Sequence, residues 1–284
     1  MLQTIIAPFW DGYELLDSGE GERLERFGIF KVVRPDANAL WARSDRANWK
    51  HPDAHFIQGE KGQWDLKNND LKDGWVIEFG KARFRVAPTS FRHMGLFPEQ
   101  AAHWQWLQDK IPAEKPIKVL NLFAYTGGAS IIAAQAGAKV THVDASQGSI
   151  NWAKENAALS GLPSDAIRWI CDDVPKFLAR EIRRGSRYDL ILLDPPVFGR
   201  GPKGEIWRLE NGLQGLLSQV AELLSPKPAG VLMNFYATTL YPEAVARLAA
   251  EILQPNIVKI ELASLCLQES RSKNLLPTGY FIRS

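Results

Sequence analysis

The sequence predicts an α/β protein: a parallel sheet with helices on both faces, preceded by a smaller β-rich N-terminal region. Three observations carry this. From about residue 98, apolar strand-like runs alternate strictly with stretches of helical periodicity, the pattern of a parallel, helix-covered sheet. Seven of the ten tryptophans (Trp10, Trp41, Trp49, Trp64, Trp75, Trp104 and Trp106) fall in the first 106 residues, while Trp152, Trp169 and Trp207 are the rest. With 45% hydrophobic and 23% charged residues, the 284-residue chain has the balance of an ordinary folded protein with ample core.

In the N-terminal region, Gly28 to Val33, Ala39 to Ala42, Trp75 to Phe79 and Ala82 to Ala87 read as short strands. Asp73-Gly74 and Gly80-Lys81 are the hairpin-turn candidates. Ala82, Phe84 and Val86 alternate with Arg83 and Arg85, which predicts a half-buried strand with a basic outer face. Pro98-Glu99 opens a helix to about Lys110, and 111–116 reads as a linker turn. Strands are then expected at 117–123, 138–143, 166–171, 188–193, 229–236, 257–263 and 279–283. Helices are expected at 127–136, 146–160, 173–184, 208–224 and 242–253. The division expected is a β-rich region at 1–87 and an α/β domain at 88–284.

Composition removes several functions. No apolar run approaches the ~20 residues of a membrane span, and the N-terminus lacks a basic segment before its short apolar stretch. Two distant cysteines, Cys171 and Cys266, make neither a disulfide framework nor a zinc site, so a reducing, cytoplasmic compartment is expected. His51, His55, His93, His103 and His142 lack metal-ligand spacing, and no metal is expected. No G-x-S-x-G elbow marks a hydrolase. The net charge of +2 leaves any nucleic-acid contact to local patches. Candidates are Arg83, Arg85, Arg92 and His93 before the α/β region, and Arg200, Lys203 and Arg208 in a glycine-rich, mobile loop after residue 198. Lys176, Arg180, Arg183, Arg184 and Arg187 read as a solvated helix face, and the early tryptophans as core of a small β-domain.

The most informative segment is IKVLNLFAYTGGASIIAAQAGAKVTHVDAS. A buried strand, Ile117 to Phe123, enters the turn Ala124-Tyr125-Thr126-Gly127-Gly128, and a helix follows. Small residues let backbone approach a nucleotide cofactor, and the helix start offers free N–H groups. Asp144, 17 positions after Gly127, ends the second strand, where a carboxylate can accept two ribose hydroxyls. Two other readings stay open on this segment alone. One is a plain Gly-Gly turn with Asp144 as a helix cap beside Ser146; the other is a NAD-binding Rossmann fold, weakened by the missing G-x-G-x-x-G. Later features separate them. Asp172 and Asp173 follow the third strand, where an acid can accept an adenine amino group. Asp194-Pro195-Pro196-Val197-Phe198 follows the fourth, a rigid turn with an aromatic face for stacking a planar base.

Together NLFAYTGGAS, THVDAS, ENAALSGL, CDDVPKFL and DPPVFGRG resemble class I S-adenosylmethionine-dependent methyltransferases, most closely the group of large-subunit rRNA cytosine-C5 and guanine-N7 methyltransferases. The resemblance covers about residues 88–240. It implies a Rossmann-like seven-stranded sheet with a final antiparallel strand, S-adenosyl-L-methionine as cofactor, and RNA as partner. It also assigns residues. Phe123 to Gly128 would wrap the methionine portion. Asp144, in a segment with Ala145 and Ser146, would take the ribose, and Asp172 or Asp173 the adenine amino group. Asn156 falls in the matching ENAALSGL run. Asp194 with Pro195, Pro196 and Phe198 would form the catalytic loop. Phe97 and Gln100 match a pre-motif segment that contacts the cofactor, with Glu99 in place of the usual aspartate. Two departures stand out. NFYATTLYPE (234–243) has no cysteine where C5 enzymes carry their nucleophile, which points to a ring or exocyclic nitrogen. The N-terminal region also differs from the small RNA-binding domain of many relatives. Methylation of a small molecule or protein, or non-catalytic cofactor and RNA binding, are the alternatives.

Overall fold

The computed structural model describes residues 2–59, 62–112, 114–201, 203–236, 238–254 and 256–284. In chain order the elements are β1 (Gln3–Ile6), β2 (Tyr13–Gly19), β3 (Glu22–Phe27), β4 (Phe30–Pro35), β5 (Ala54–Ile57), β6 (Gln63–Leu66), β7 (Trp75–Phe79), β8 (Ala82–Val86), α1 (Ala101–Lys110), β9 (Lys118–Leu122), α2 (Gly128–Gln135), β10 (Lys139–Asp144), α3 (Gln147–Leu159), β11 (Ile167–Cys171), α4 (Val174–Arg183), β12 (Leu190–Leu193), β13 (Phe198–Arg200), β14 (Ile206–Arg208), α5 (Leu209–Leu223), β15 (Gly230–Phe235), α6 (Pro242–Leu253), β16 (Glu261–Gln268) and β17 (Leu275–Arg283). They pack as two compact units. One comprises Met1–Thr4, His103–Ser264 and Gly279–Ser284, the other Ile5–Ala102 and Leu265–Thr278.

The first unit is built on a sheet of order β1-β16-β17-β15-β12-β9-β10-β11. The seven strands expected are present, and β1 adds an eighth at the edge. β15, β12, β9, β10 and β11 are parallel neighbours, and β17 runs antiparallel to β15. Register sets Leu120 between Ile191 and Thr141, and Leu122 between Leu193 and Val143. Alternation along β9 shows why both faces carry helices. Leu120 and Leu122 join one core with Phe177 and Leu178 of α4, Leu213 to Val220 of α5 and Val245 and Ala249 of α6. Asn121, between them, meets Ser130 of α2 instead. Each fully buried Leu or Phe there contributes ~1.5–3 kcal/mol. The chain winds β9-β10-β11 to one side, then crosses to β12 on the other, which opens a crevice at the carboxyl ends of β9 and β12.

The expected helices appear within a residue or two. The helix from Pro98 begins as a 3-10 turn, Pro98–Gln100, before α1. The strand expected at 257–263 forms later, as β16. In the expected linker at 111–116, Ala113 lies outside the described residues.

The second unit holds the sheet β2-β3-β4-β5-β6 and the hairpin β7-β8. Gly80-Lys81 is the two-residue turn expected, joining Phe79 to Ala82, and Arg83 and Arg85 stay outside while Ala82, Phe84 and Val86 are buried. Asp73-Gly74 is not a hairpin turn; it closes a 3-10 turn, Asn69–Asp73. Gly28 is likewise no strand residue but the turn between β3 and β4. Ala39 to Ala42 forms no strand, because its carbonyls serve a neighbouring turn: Gly21 N–H bonds Ala39 O at 2.8 Å and Glu20 N–H bonds Trp41 O at 2.7 Å. Indole N–H groups tie loops down, Trp41 to Ser18 O, Trp49 to Asp17 Oδ2, Trp64 to Thr89 O and Trp75 to Phe27 O. Of the early tryptophans expected to fill the core of a small β-domain, Trp10 and Trp49 are buried in this unit, Trp41, Trp64 and Trp75 are half-buried, and Trp104 and Trp106 lie in the first unit.

β2, β3, β5 and β6 had no clear signal in the sequence, and β3 shows why. Its ERLERF run buries charge: Glu25 is fully buried, and Arg34 of β4 donates to both its oxygens at 2.7 and 2.8 Å. Tyr13 Oη donates to Glu25 at 2.8 Å, and Arg23 lies 3.6 Å away. Burial works against the Glu25 charge, but Arg23 and Arg34 overcome it and hold the carboxyl below its ordinary range.

Candidate active site

The loops after β9, β10, β11 and β12 all leave the carboxyl edge of the parallel sheet, and the first unit's sequence-identified residues gather there. The turn after β9 is a strained cradle. Phe123, Tyr125 and Gly127 have φ of 55°, 50° and 89°. At Gly127 the left-handed backbone and the packing both require glycine, since a Cβ would lie 3.0 Å from the Ala153 Cβ. Ala124 N–H is fixed by Val143 O at 3.1 Å and Gly127 N–H by Ala124 O at 3.1 Å. Asn156, fully buried on α3, donates Nδ2 to Thr126 O at 3.0 Å. Its place is therefore beneath the turn, as an anchor. The first N–H groups of α2 open from this turn, a fitting seat for a carboxylate.

Asp144 ends β10 beside it. Its two oxygens accept N–H bonds from Tyr125 and Ser146, each at 2.8 Å. Burial pushes its carboxyl up while those two bonds pull it down. Each oxygen retains acceptor capacity for a hydroxyl. The helix cap is Ser146, whose Oγ accepts Ser149 N–H at 3.2 Å, so Asp144 is not the cap. Ala145 follows Asp144, and its carbonyl receives the Cys171 thiol at 3.7 Å.

Asp172 and Asp173 divide their work. Asp173 is the N-cap of α4, accepting Lys176 N–H at 3.1 Å. Asp172 forms an ion pair with Arg180, and its N–H bonds Asp144 O at 3.0 Å. The basic side chains of α4 are thus partly engaged, Arg180 with Asp172, Lys176 with Glu205 and Arg184 with Glu181. Cys171 is exposed, and burial followed by the charges of Asp144 and Asp172 pushes its thiol up, away from nucleophilic thiolate character.

After β12, Asp194 N–H reaches Leu122 O at 3.3 Å, which ties this turn to the one after β9. Pro195 is buried, Pro196 half-buried and Phe198 49% exposed. The Pro196 carbonyl accepts the Trp207 indole N–H at 2.7 Å. The glycine-rich loop after residue 198 forms the hairpin β13-β14; its Pro202 lies outside the described residues. Phe97 and Gln100, both half-buried, belong to the second unit, as do Arg83, Arg85, Arg92 and His93.

Sequence reasoning missed three supports in the first unit. Trp207 packs its ring 5.4 Å from Phe123. Trp104 lies 3.0 Å from where a Gly128 Cβ would stand. Under the β9 turn, Asn121 Nδ2 donates to Ser130 Oγ at 2.9 Å, and Ser130 Oγ lies 2.9 Å from His142 Nδ1. Burial drives the His142 imidazole down to about 3, so it stays neutral and Nδ1 can accept the hydroxyl proton. The available signal was a polar residue at the centre of an apolar strand. Among the described residues no group of three His, Cys, Asp or Glu is placed to hold a metal, and no helix is long and apolar enough to cross a membrane.

A parallel sheet whose carboxyl edge carries a small-residue turn, a ribose-type carboxylate, a third-strand acid and a D-P-P-x-F turn defines a class I methyltransferase. The chain belongs to the S-adenosylmethionine-dependent methyltransferase family, whose model matches residues 41–250. S-adenosylmethionine is therefore its cofactor, and the residues present fit it: carboxylates for hydroxyl and amino groups, and helix N–H groups for a carboxylate. A crystal structure of the SAM-dependent methyltransferase from Agrobacterium tumefaciens superposes with TM-score 0.91 at 40% identity, covering 99% of this chain and 95% of that one. SMU.776, solved in complex with SAH, shares the fold at TM-score 0.74 and 19% identity, covering 96% of this chain and 75% of that one. The ribosomal RNA large subunit methyltransferase K/L of Shewanella frigidimarina (strain NCIMB 400) is 34% identical over 199 residues, covering 65% of this chain and 26% of that protein. That of Shewanella baltica (strain OS155 / ATCC BAA-1091) is 37% identical over 161 residues, covering 56% and 22%. The chain thus spans about a quarter of the length of these curated relatives.

Proposed function

We propose that this methyltransferase acts on a nitrogen of a base in RNA, ribosomal RNA foremost, in the cytoplasm. The observation that carries the reading is the exposed Phe198 face, two residues past the rigid Asp194-Pro195-Pro196 turn and flanked by exposed Arg200 and Arg208. It offers a planar base a stacking surface and its phosphates two cations. The K/L relatives, named for large-subunit ribosomal RNA, support the same reading.

When bound, S-adenosylmethionine supplies an electrophilic methyl on a sulfonium centre. The chain's residues would divide the rest. Phe123 to Gly128 and the start of α2 hold the methionine portion. Asp144, with Ala145 and Ser146 beside it, holds the ribose. Asp172 or Asp173 takes the adenine amino group, with Asn156 supporting the turn. Phe97 and Gln100 add contacts from the pre-motif segment, and residues 1–87 contact substrate. Asp194 and the Pro195 carbonyl orient the acceptor nitrogen for in-line attack, and the Asp194 carboxylate takes its proton, directly or through water. Residues 234–243 contain no cysteine, and the raised Cys171 thiol is no substitute. A nitrogen lone pair needs neither.

Single-turnover methyl transfer with Asp194→Ala tests this. A fall of about 10²-fold or more is expected for loss of a positioned acid-base group. An unchanged rate would remove Asp194 from the reaction. Separate Asp172→Asn and Asp173→Asn variants assign the adenine ligand: the one that weakens cofactor binding more, at equal folding stability, holds the amino group.

A further inference from the structure

We propose that the outer face of the β13-β14 hairpin is a docking surface for the nucleotide next to the target base in single-stranded RNA. It would hold the intervening phosphodiester between Arg200 and Arg208 and the flanking base on Ile206. This rests on the RNA reading above and adds a second contact region to it.

The hairpin has two unlike faces. Phe198 pairs with Arg208, Gly199 with Trp207 and Arg200 with Ile206. Alternation sends Gly199 and Trp207 inward, and Phe198, Arg200, Ile206 and Arg208 outward. The outward set is a checkerboard of two cations and two apolar side chains. Ile206 is 67% exposed. The Arg208 guanidinium lies over the Phe198 ring at 5.4 Å. Among the described residues neither Arg200 nor Arg208 is in an ion pair, whereas Glu205, the hairpin's acid, is engaged by Lys176 of α4. The face therefore carries uncompensated positive charge, complementary to a phosphodiester. Phe198 makes it continuous with the Asp194 turn.

The inward face makes the platform rigid. Trp207 is buried, donates to Pro196 O at 2.7 Å and fills a hollow in α5 that exists because residue 212 is glycine. A Cβ there would lie 2.5 Å from the indole. Leu209 N–H closes the base of the hairpin on Val197 O at 3.0 Å. A surface held this way loses little entropy when RNA settles on it.

The test compares the full-length wild type with Arg200→Gln/Arg208→Gln and with Ile206→Ser, leaving Phe198 intact. Binding of a labelled oligouridylate is measured across a salt series, S-adenosylmethionine binding and melting temperature serve as controls, and total RNA is methylated in parallel. The double arginine variant should bind RNA about 10-fold more weakly. Its dependence of log affinity on log salt should be shallower by about 0.7, the value for one lost phosphate contact on a single strand. Ile206→Ser should raise KM for RNA several-fold with kcat unchanged. Variants that bind and methylate RNA as the wild type does, with the wild-type salt slope, overturn the docking surface and leave the RNA reading standing. A wild type that labels protein but not RNA overturns both.

Discussion

In the proposed cofactor site, Asp144 is the residue that offers the most direct test. Its two N–H bonds from Tyr125 and Ser146 aim an ionised carboxylate across the β9 turn. Asp144→Asn removes the charge assistance from acceptance of the ribose hydroxyls, ~1 kcal/mol per bond, so calorimetry should show S-adenosylmethionine binding about 10- to 100-fold weaker. The pH dependence has a definite sign. Burial raises the Asp144 pKa, so affinity that needs the ionised form is present at neutral pH and lost as pH falls through a value above the ordinary aspartate pKa. The asparagine variant should lose that dependence. The places of Asp144, Gly127 and Asp194 were legible in the sequence, because Asp144 and Asp194 sit at strand ends and Gly127 at a helix start, each in a motif of fixed spacing. Trp207 and His142 were not, since nothing in the local sequence shows that one meets Pro196 and the other Ser130. Asn156 was legible as important but not in its role, because a helix position does not reveal that its amide points at Thr126 O.

Among the elements, the β13-β14 hairpin couples the two central loops. Trp207 bonds the reaction turn at Pro196 and packs on Phe123 of the cofactor turn. Trp207→Phe keeps most of the packing and removes the N–H. Loss of that bond, ~0.5–1.5 kcal/mol, should slow single-turnover transfer about 3- to 10-fold. Melting temperature should change little, and an unchanged rate would show that the turn holds itself. The parallel strands and their helices were legible because each has an apolar run or amphipathic period of its own. The hairpin read as a loop because its strands, Phe198–Arg200 and Ile206–Arg208, are three residues each and interrupted by glycine and proline. In the N-terminal unit, β3 was hidden for a different reason: buried ionic groups break the apolar alternation that marks a strand.

Across the whole molecule, the two units owe their stability to different things. The first rests on apolar packing between its sheet and α4, α5 and α6. The second buries Glu25 with Arg23, Arg34 and Tyr13 at its centre. Glu25→Gln would take the ion-pair partner from the buried Arg34 guanidinium and leave Arg23 with Asp36, 3.7 Å away, and breaking a buried pair costs ~3–5 kcal/mol. Denaturant unfolding should show a loss of that size. A loss below about 1 kcal/mol would mean that water reaches the cluster and shares its charge. Fold class and cofactor were legible at this scale; the packing of the chain into interleaved units was not, because residues 265–278 join the N-terminal unit only in three dimensions. The central claim is that this chain methylates RNA on a base nitrogen. It is tested most directly by incubating the protein with radiolabelled S-adenosylmethionine and total RNA, protein and small-molecule fractions from cells lacking its gene. Label in RNA that digests to an N-methylated nucleoside is the predicted result. Label confined to the protein or small-molecule fractions, or a C5-methylated cytosine, would contradict it.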